Sequence, residues 1–302
     1  MKKTKKKIAK RKVIGAIKGY LLILPLFSLL GVFKYYSFFY AIFRSLYNWN
    51  GLKTSIFIGI SNYVNLIHDK IFLGSTLNLL LLLVTSLLKA LIFPFIAARL
   101  VFYLKSKKTQ EISKYLFVLP MIVPTVVIIL LWGWIFDTDG MVNLILRSIG
   151  LGNFAVPWLA SSDTALGAII FMGFPWVGGI AFLIYMAGLQ GIPDGLYEAV
   201  KLEGAGTLRT VFSLELPLIM GQLRYIVITT IIATIQFFDP IFILTNGGPG
   251  KATMVPAVYL YQEAFSFQKF GYACAIGVVI FVLVMIITVF NMKFMNSDYT
   301  MD

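Results

Sequence analysis

The chain has 302 residues, 59% of them apolar and 13% charged, where a soluble domain carries roughly half and a quarter. A mean hydropathy of +0.86 leaves more apolar surface than one aqueous core can bury. The bilayer must serve as solvent, and a soluble enzyme, a disordered tail, a coiled coil and a disulfide scaffold are excluded. Of the 26 basic residues, set against 13 acidic ones, nine lie in the first 18 positions with no acid among them, and the rest mostly occupy short polar gaps. That placement is how membrane orientation is written and not how nucleic acid is bound. One cysteine, Cys274, and one histidine, His68, supply neither an intrachain disulfide nor the ligand set of a zinc site.

A helix needs about 20 apolar residues to cross roughly 30 Å of hydrocarbon. Six stretches qualify: Tyr20 to Leu46, Ile71 to Leu100, Tyr115 to Phe136, Ala165 to Leu189, Leu223 to Thr245 and Tyr272 to Phe294. Runs such as LLLLLVTSLL do not alternate, which excludes barrel strands. The expected class is an all-α polytopic membrane protein: a basic segment 1–19, a six-helix domain 20–294 and a tail 295–302. The first stretch outruns the h-region of a signal peptide and lacks a small-x-small site after it, so it reads as an uncleaved helix. Segments 1–19, 101–114, 190–224 and the C-terminal tail hold about 17 of the basic residues, and the alternate segments hold Lys53, Lys70, Arg147, Lys251 and Lys269. The positive-inside rule then puts both termini in the cytoplasm. Tyr47, Trp49, Trp134 and Trp158 fall near outer ends, as interfacial aromatics do.

Four cations lie within the apolar stretches. Arg44 and Arg99 are near ends and are expected to snorkel. Lys34 and Lys89 are more central. They either line a cavity or an ion pair, or sit in long helices that tilt until the charges reach the headgroups, and the tilt is the preferred reading. The third stretch holds Pro120 and Pro124, and in the fourth, Gly173-Phe174-Pro175-Trp176-Val177-Gly178-Gly179, Pro175 is expected to bend the helix, a packing kink being the preferred reading. The fifth ends in Gln236-Phe237-Phe238-Asp239-Pro240, with Gln236 and Asp239 at helical spacing on one face. Gln236, Phe237, Phe238, Asp239 and Trp176 combine acceptors, an amide and aromatic planes, a mixture suited to a polyhydroxylated ligand. Asp239 otherwise caps the outer helix end beside Pro240.

The gap between the fourth and fifth stretches, 190–221, is longer than a reversal needs. Asp194 is an expected N-cap, a helix is predicted from Leu196 to Glu203, Gly204 and Gly206 permit a sharp turn, and a second helix, Thr207 to Leu216, is predicted to stop at Pro217. A short amphipathic helix on such a loop invites a docking partner. The run E-A-V-K-L-E-G-A-G, with Phe212 and Leu216-Pro217 following, resembles the EAA motif of binding-protein-dependent ABC importer permeases. Glu198, Ala199, Gly204, Ala205, Leu216 and Pro217 match, while Val200 replaces an alanine and Glu203 an aspartate. FVLPMIVPTVVIILLWGWIFDTDGMVN, together with FFDPIFILTNGGPGKATMVPAVYLYQEAFSFQKFGYACAIGV, is similar to the sugar-permease branch, and LTNGGPG to its MalF-type subunit. Tyr35-Tyr36 departs from the Tyr-Pro that many relatives carry.

The resemblance implies a type I importer fold and a non-catalytic subunit that transports a carbohydrate, an oligosaccharide by expectation, across a bacterial cytoplasmic membrane. It implies a second homologous permease, two ABC ATPases that hold the ATP and magnesium, and an extracellular solute-binding protein. The chain itself would bind no cofactor. Tyr197, Glu198, Ala199, Glu203, Gly204, Ala205, Gly206 and Pro217 would form the ATPase-coupling site. A stand-alone ion-coupled carrier is the alternative, against which stand the single intramembrane acid and the absence of an evident repeat. The phosphate-loop look of Gly247-Gly248-Pro249-Gly250-Lys251-Ala252-Thr253 fails at Thr245 and Ala252, where the motif needs glycine and a hydroxyl. A rigid turn is expected there.

Overall fold

The computed structural model describes residues 20–52 and 55–294. The predicted segments 1–19 and 295–302 and the position of Lys53 lie outside the described residues. In chain order the elements are α1 (Tyr20–Arg44), β1 (Tyr47–Trp49), β2 (Ser55–Phe57), α2 (Ser61–His68), α3 (Lys70–Phe102), α4 (Lys107–Val118), α5 (Thr125–Ile135) and α6 (Met141–Ser148). There follow α7 (Ala165–Phe171), α8 (Gly179–Gln190), α9 (Asp194–Leu202), α10 (Thr207–Thr210), α11 (Leu216–Leu218), α12 (Met220–Ile235), α13 (Asp239–Leu244), α14 (Pro256–Tyr261) and α15 (Phe270–Phe294). Among the described residues four stretches are long and apolar enough to cross a membrane: Tyr20–Arg44, Lys70–Phe102, Met220–Leu244 and Phe270–Phe290. The count rises to six if each of two bent helix pairs is one span. The chain is thus an all-α polytopic membrane protein apart from one small hairpin.

Three predicted spans are not continuous helices; the fifth is interrupted at 236–238, between α12 and α13. The third bends by 91° between 107–122 and 125–135, where Pro120 opens a 3-10 turn, Leu119–Ile122, and Pro124 caps α5. Neither proline has an N–H to give; Val123, before Pro124, is extended, whereas Leu119, before Pro120, keeps helical angles. The fourth separates into α7 and α8, with residues 172–178 between them in non-helical conformation. Gly173 has φ +84° and Trp176 φ +59°, so Pro175 sits in an interruption and not in a simple kink. By contrast α3 runs through Pro94 for 33 residues, about 50 Å. Asp69 starts it by accepting from the backbone N–H groups of Ile71 and Phe72. In α1 the run Gly31–Tyr36, which contains Lys34 and the Tyr35-Tyr36 departure, is π-helical, and Lys34 is exposed.

The contacts divide the chain into two compact units. Of the described residues, the first comprises those up to Asn65 and Glu263–Val278. In it β1 and β2 pair antiparallel with Tyr47 opposite Phe57, a hairpin the spans gave no reason to expect. Asn62 fixes its approach by donating to the carbonyls of Ser45 and Tyr47. Arg44 does not simply reach for water. Its guanidinium lies 4.6 Å from the Trp49 ring centre and 4.9 Å from that of Tyr40, and donates to Ser55 Oγ at 2.8 Å.

Of the described residues, the second unit comprises Leu66–Gln262 and those from Val279 on. Its core gathers Phe95, Ala98 and Val101 of α3, Phe182, Tyr185, Met186 and Leu189 of α8, Ile226 of α12, and Tyr197 and Leu214 of the loop 190–221. Small residues set the spacing, as membrane helices require: a Cβ on Gly188 would come within 3.0 Å of Ile219. The segment Asn246 to Thr253 is a rigid turn. Thr253 donates to the Gly248 carbonyl, Gln262 Nε2 to that of Asn246, and Lys251 to Gln262 Oε1. Asn78 of α3 anchors it by donating to the carbonyls of Ala252 and Met254 at 3.0 and 2.9 Å.

Asn78→Leu leaves those two carbonyls without their donor and should lower stability by about 2 kcal/mol. Thermal unfolding in detergent reads this out; an unchanged midpoint would contradict the anchoring.

Candidate functional site

Two arrangements in the second unit carry the predicted site residues. The first is the loop 190–221. Pro193 turns the chain out of α8, and α9 leaves at 73° to it. Pro193 occupies the N-cap position and Asp194 is already in the first turn, without a capping hydrogen bond. Asp194 therefore supports α9 through its charge at the positive helix end and not as the expected cap. α9 closes in a Schellman arrangement: the N–H of Ala205 bonds to the Val200 carbonyl at 3.1 Å and that of Gly204 to the Lys201 carbonyl at 3.0 Å. Gly204 has φ +71°, which explains glycine there. Gly206 does not share that role; it is the extended residue that caps α10.

The second predicted helix is also not what the sequence suggested. After α10 the chain takes a π turn, Val211–Glu215, with the Leu216 N–H bonded to the Val211 carbonyl, and helix resumes through Pro217 to Leu218. The wider turn takes up the missing N–H of Pro217, so proline does not end the helix here. The π turn carries Glu215, which sequence reasoning missed. Its side chain is 0% exposed. Arg99 Nε donates to Oε2 at 2.8 Å and the Tyr103 hydroxyl to Oε1 at 2.9 Å. The guanidinium carbon lies 4.8 Å from the Tyr103 ring centre. Arg99 is thus an ion-pair partner at the end of α3 and not a snorkelling cation. Burial, and then the hydrogen bond to Glu215, push the Tyr103 phenol up to about 12, so it stays a donor at neutral pH.

Around this pair the predicted coupling residues separate by role. Tyr197 is buried, 5.7 Å from the Phe102 ring and 6.3 Å from that of Tyr103, and its hydroxyl has no hydrogen-bond partner. It lines a cavity of about 300 Å3 with Arg99, Tyr103, Lys201, Ala205 and Thr207. Glu198, Ala199, Glu203, Gly204 and Gly206 are exposed, and Pro217 is half-buried. Leu202, Leu208 and Phe212 stand beside them, 90%, 73% and 66% exposed. The loop is held by buried contacts and exposes both apolar and charged side chains.

The second arrangement is a cavity of about 360 Å3 at the break between α7 and α8. Its walls include Ser86, Lys89, Met172, Gly173, Trp176 and Phe237. The break frees the carbonyls at the end of α7. Lys89 Nζ donates to the Ile170 carbonyl and Trp176 Nε1 to that of Phe171 at 3.0 Å. The ammonium lies 5.3 Å from the Trp176 ring centre, and Phe93 packs on the same ring at 4.8 Å. Lys89 therefore faces a cavity within the protein, and the preferred reading of a tilting helix is wrong for it. Trp176 and Phe237 meet here; the other pathway candidates do not line this cavity. α12 ends at Ile235, so exposed Gln236 and exposed Asp239, the first residue of α13, do not share a continuous helix face. Phe238 instead stacks on Phe242 and Tyr261 at 4.8 and 5.5 Å. Among the described residues no three His, Cys, Asp or Glu side chains gather as a metal site.

A family model described as binding-protein-dependent transport system inner membrane component matches residues 90–297. The chain is 34% identical over 282 residues to the probable ABC transporter permease protein YurN of Bacillus subtilis, across 92% of this chain and 96% of that protein. It is 30% identical over 286 residues to the multiple sugar-binding transport system permease protein MsmF of Streptococcus mutans, across 94% and 97%. Its fold is similar to that of a chain in a bacterial ABC transporter involved in the import of the acidic polysaccharide alginate, with a TM-score of 0.81 at 20% identity over 94% and 97% of the two chains.

Arg99→Met strands the buried Glu215 carboxylate and should cost about 3–5 kcal/mol in chemical unfolding, whereas Arg99→Met combined with Glu215→Leu should cost clearly less. Strict additivity of the two single changes would contradict the pairing.

Proposed function

The chain belongs to the family of binding-protein-dependent transport system inner membrane components, and from that membership we propose that it is the permease subunit of an ABC importer that moves a carbohydrate, an oligosaccharide, across the cytoplasmic membrane. The sugar-binding description of one relative and the aromatic-lined cavity at Trp176 and Phe237 support the carbohydrate. Aromatic planes suit the apolar faces of sugar rings, and Ser86 and Lys89 add polar groups for hydroxyls. The charge distribution supports cytoplasmic termini and a cytoplasmic loop 190–221.

The observation that carries the reading is the loop itself. The Schellman turn and the Glu215 pair hold it to the protein, while Glu198, Ala199, Leu202, Glu203, Leu208 and Phe212 stay exposed. We assign that exposed surface to an ABC ATPase: apolar residues fill its cleft and the two glutamates meet basic or amide groups at the rim. A second homologous permease supplies the other half of the pathway, and an extracellular solute-binding protein delivers the ligand. ATP and magnesium belong to the two ATPases. Their closure draws the two coupling loops together and switches the cavity between inward-open and outward-open states. Within the sugar branch, LTNGGPG points to the MalF-type subunit.

Glu198→Lys puts the wrong charge at the rim, and Gly204→Pro forbids the left-handed turn that closes α9. Both should leave membrane insertion intact and lower the ATPase that co-purifies with the complex by about tenfold. Undiminished co-purification in both would contradict ATPase docking. Uptake by the purified chain alone, without ATP, would favour an ion-coupled carrier.

A further inference from the structure

Lys89 lies well inside α3, where a cation is costly to insert unless it finds partners. Its partners here are a carbonyl, that of Ile170, and the face of Trp176. Both carry partial negative charge; neither is a counter-ion. An ammonium has three donors, and the Ile170 carbonyl takes one. The lining of the cavity includes no acidic side chain, and among the described residues Lys89 takes part in no salt bridge. A volume of about 360 Å3 falls within the range of small-molecule sites. Trp176 and Phe237 give it aromatic walls, and Ser86 a hydroxyl. What is missing is the negative charge.

We propose that the solute supplies it: the cavity takes an acidic carbohydrate, with a carboxylate or equivalent anionic group against Lys89 and a sugar ring against Trp176 and Phe237. The inference rests on the importer reading above and names the class of its substrate. An ion pair in a partly enclosed cavity is stronger than at an open surface, so this single charge discriminates acidic from neutral solutes of the same size. The competing occupant of the charge position is a carboxylate of the second permease subunit, which would neutralise Lys89 whatever the solute.

The test uses the complete importer, with both permeases, the ATPases and the binding protein, reconstituted in proteoliposomes. The probes are oligogalacturonides and alginate oligosaccharides of two to four units, and maltooligosaccharides and chitooligosaccharides of the same lengths as neutral counterparts. Uptake of an acidic series is expected. Lys89→Gln keeps a donor for the Ile170 carbonyl but removes the charge, and should raise KM for the acidic solute by about tenfold or more, while Lys89→Arg should restore it to within about threefold. Uptake confined to neutral sugars, or an unaltered KM in Lys89→Gln, would overturn the proposal. An equal loss for every solute together with loss of complex assembly would assign the counter-charge to the second permease and overturn it as well. Uptake of no carbohydrate at all would instead sink the carbohydrate reading itself, and this inference with it.

Discussion

A carboxylate with no solvent exposure must find hydrogen-bond and charge partners within the protein, and that constraint organises the second unit. Glu215 meets it through Arg99 and Tyr103, both at the end of α3. The pair fastens the loop 190–221 to α3, the longest helix among the described residues. Lys89 stands on that helix ten residues before Arg99, about 15 Å along the axis. One rigid element thus carries the fastening of the proposed coupling loop and the cation of the proposed solute cavity. A push on the loop is a push on α3, which gives the two places a continuous physical connection.

The irregular backbone obeys the same economy of polar groups. Inside a membrane protein, chain outside helices persists only where its N–H and C=O groups find partners within the protein. At the break between α7 and α8, Lys89 and Trp176 take the freed carbonyls of Ile170 and Phe171. In the turn from Asn246 to Thr253, side chains of Asn78, Gln262 and Thr253 take the backbone groups. Lys89 acts in both senses: it repairs a broken helix and leaves positive charge beside a cavity.

Much of this was legible in the sequence because it is local. Apolar run length located the membrane helices, and α3 is within two residues of its expected limits at either end. Gly204 and the short helix before it were readable because a Schellman turn is set by neighbours in the chain. Prolines marked the interruptions, but their consequences depended on context. Pro94 is absorbed in α3, Pro217 is accommodated by a π turn, and Pro175 sits in a stretch of seven non-helical residues. What stayed hidden is long-range. Arg99 and Glu215 are 116 residues apart, and Lys89 and Ile170 are 81 apart. No periodicity reports such pairs, so both cations were expected to reach the headgroups. The hairpin of β1 and β2 has strands of three residues, too short to show alternation, although Asn50-Gly51 between them is a turn pair.

The account depends on the exposed side of the loop meeting a nucleotide-hydrolysing partner. The most direct measurement is site-specific photocrosslinking in the assembled complex. A Leu202→Cys variant, with Cys274 replaced by serine, would carry a short photoreactive maleimide at the most exposed apolar residue of α9. The account predicts a crosslinked product that contains the ATPase, with a yield that changes when ATP is added. Crosslinks only to lipid or to the chain itself, with and without ATP, would contradict it.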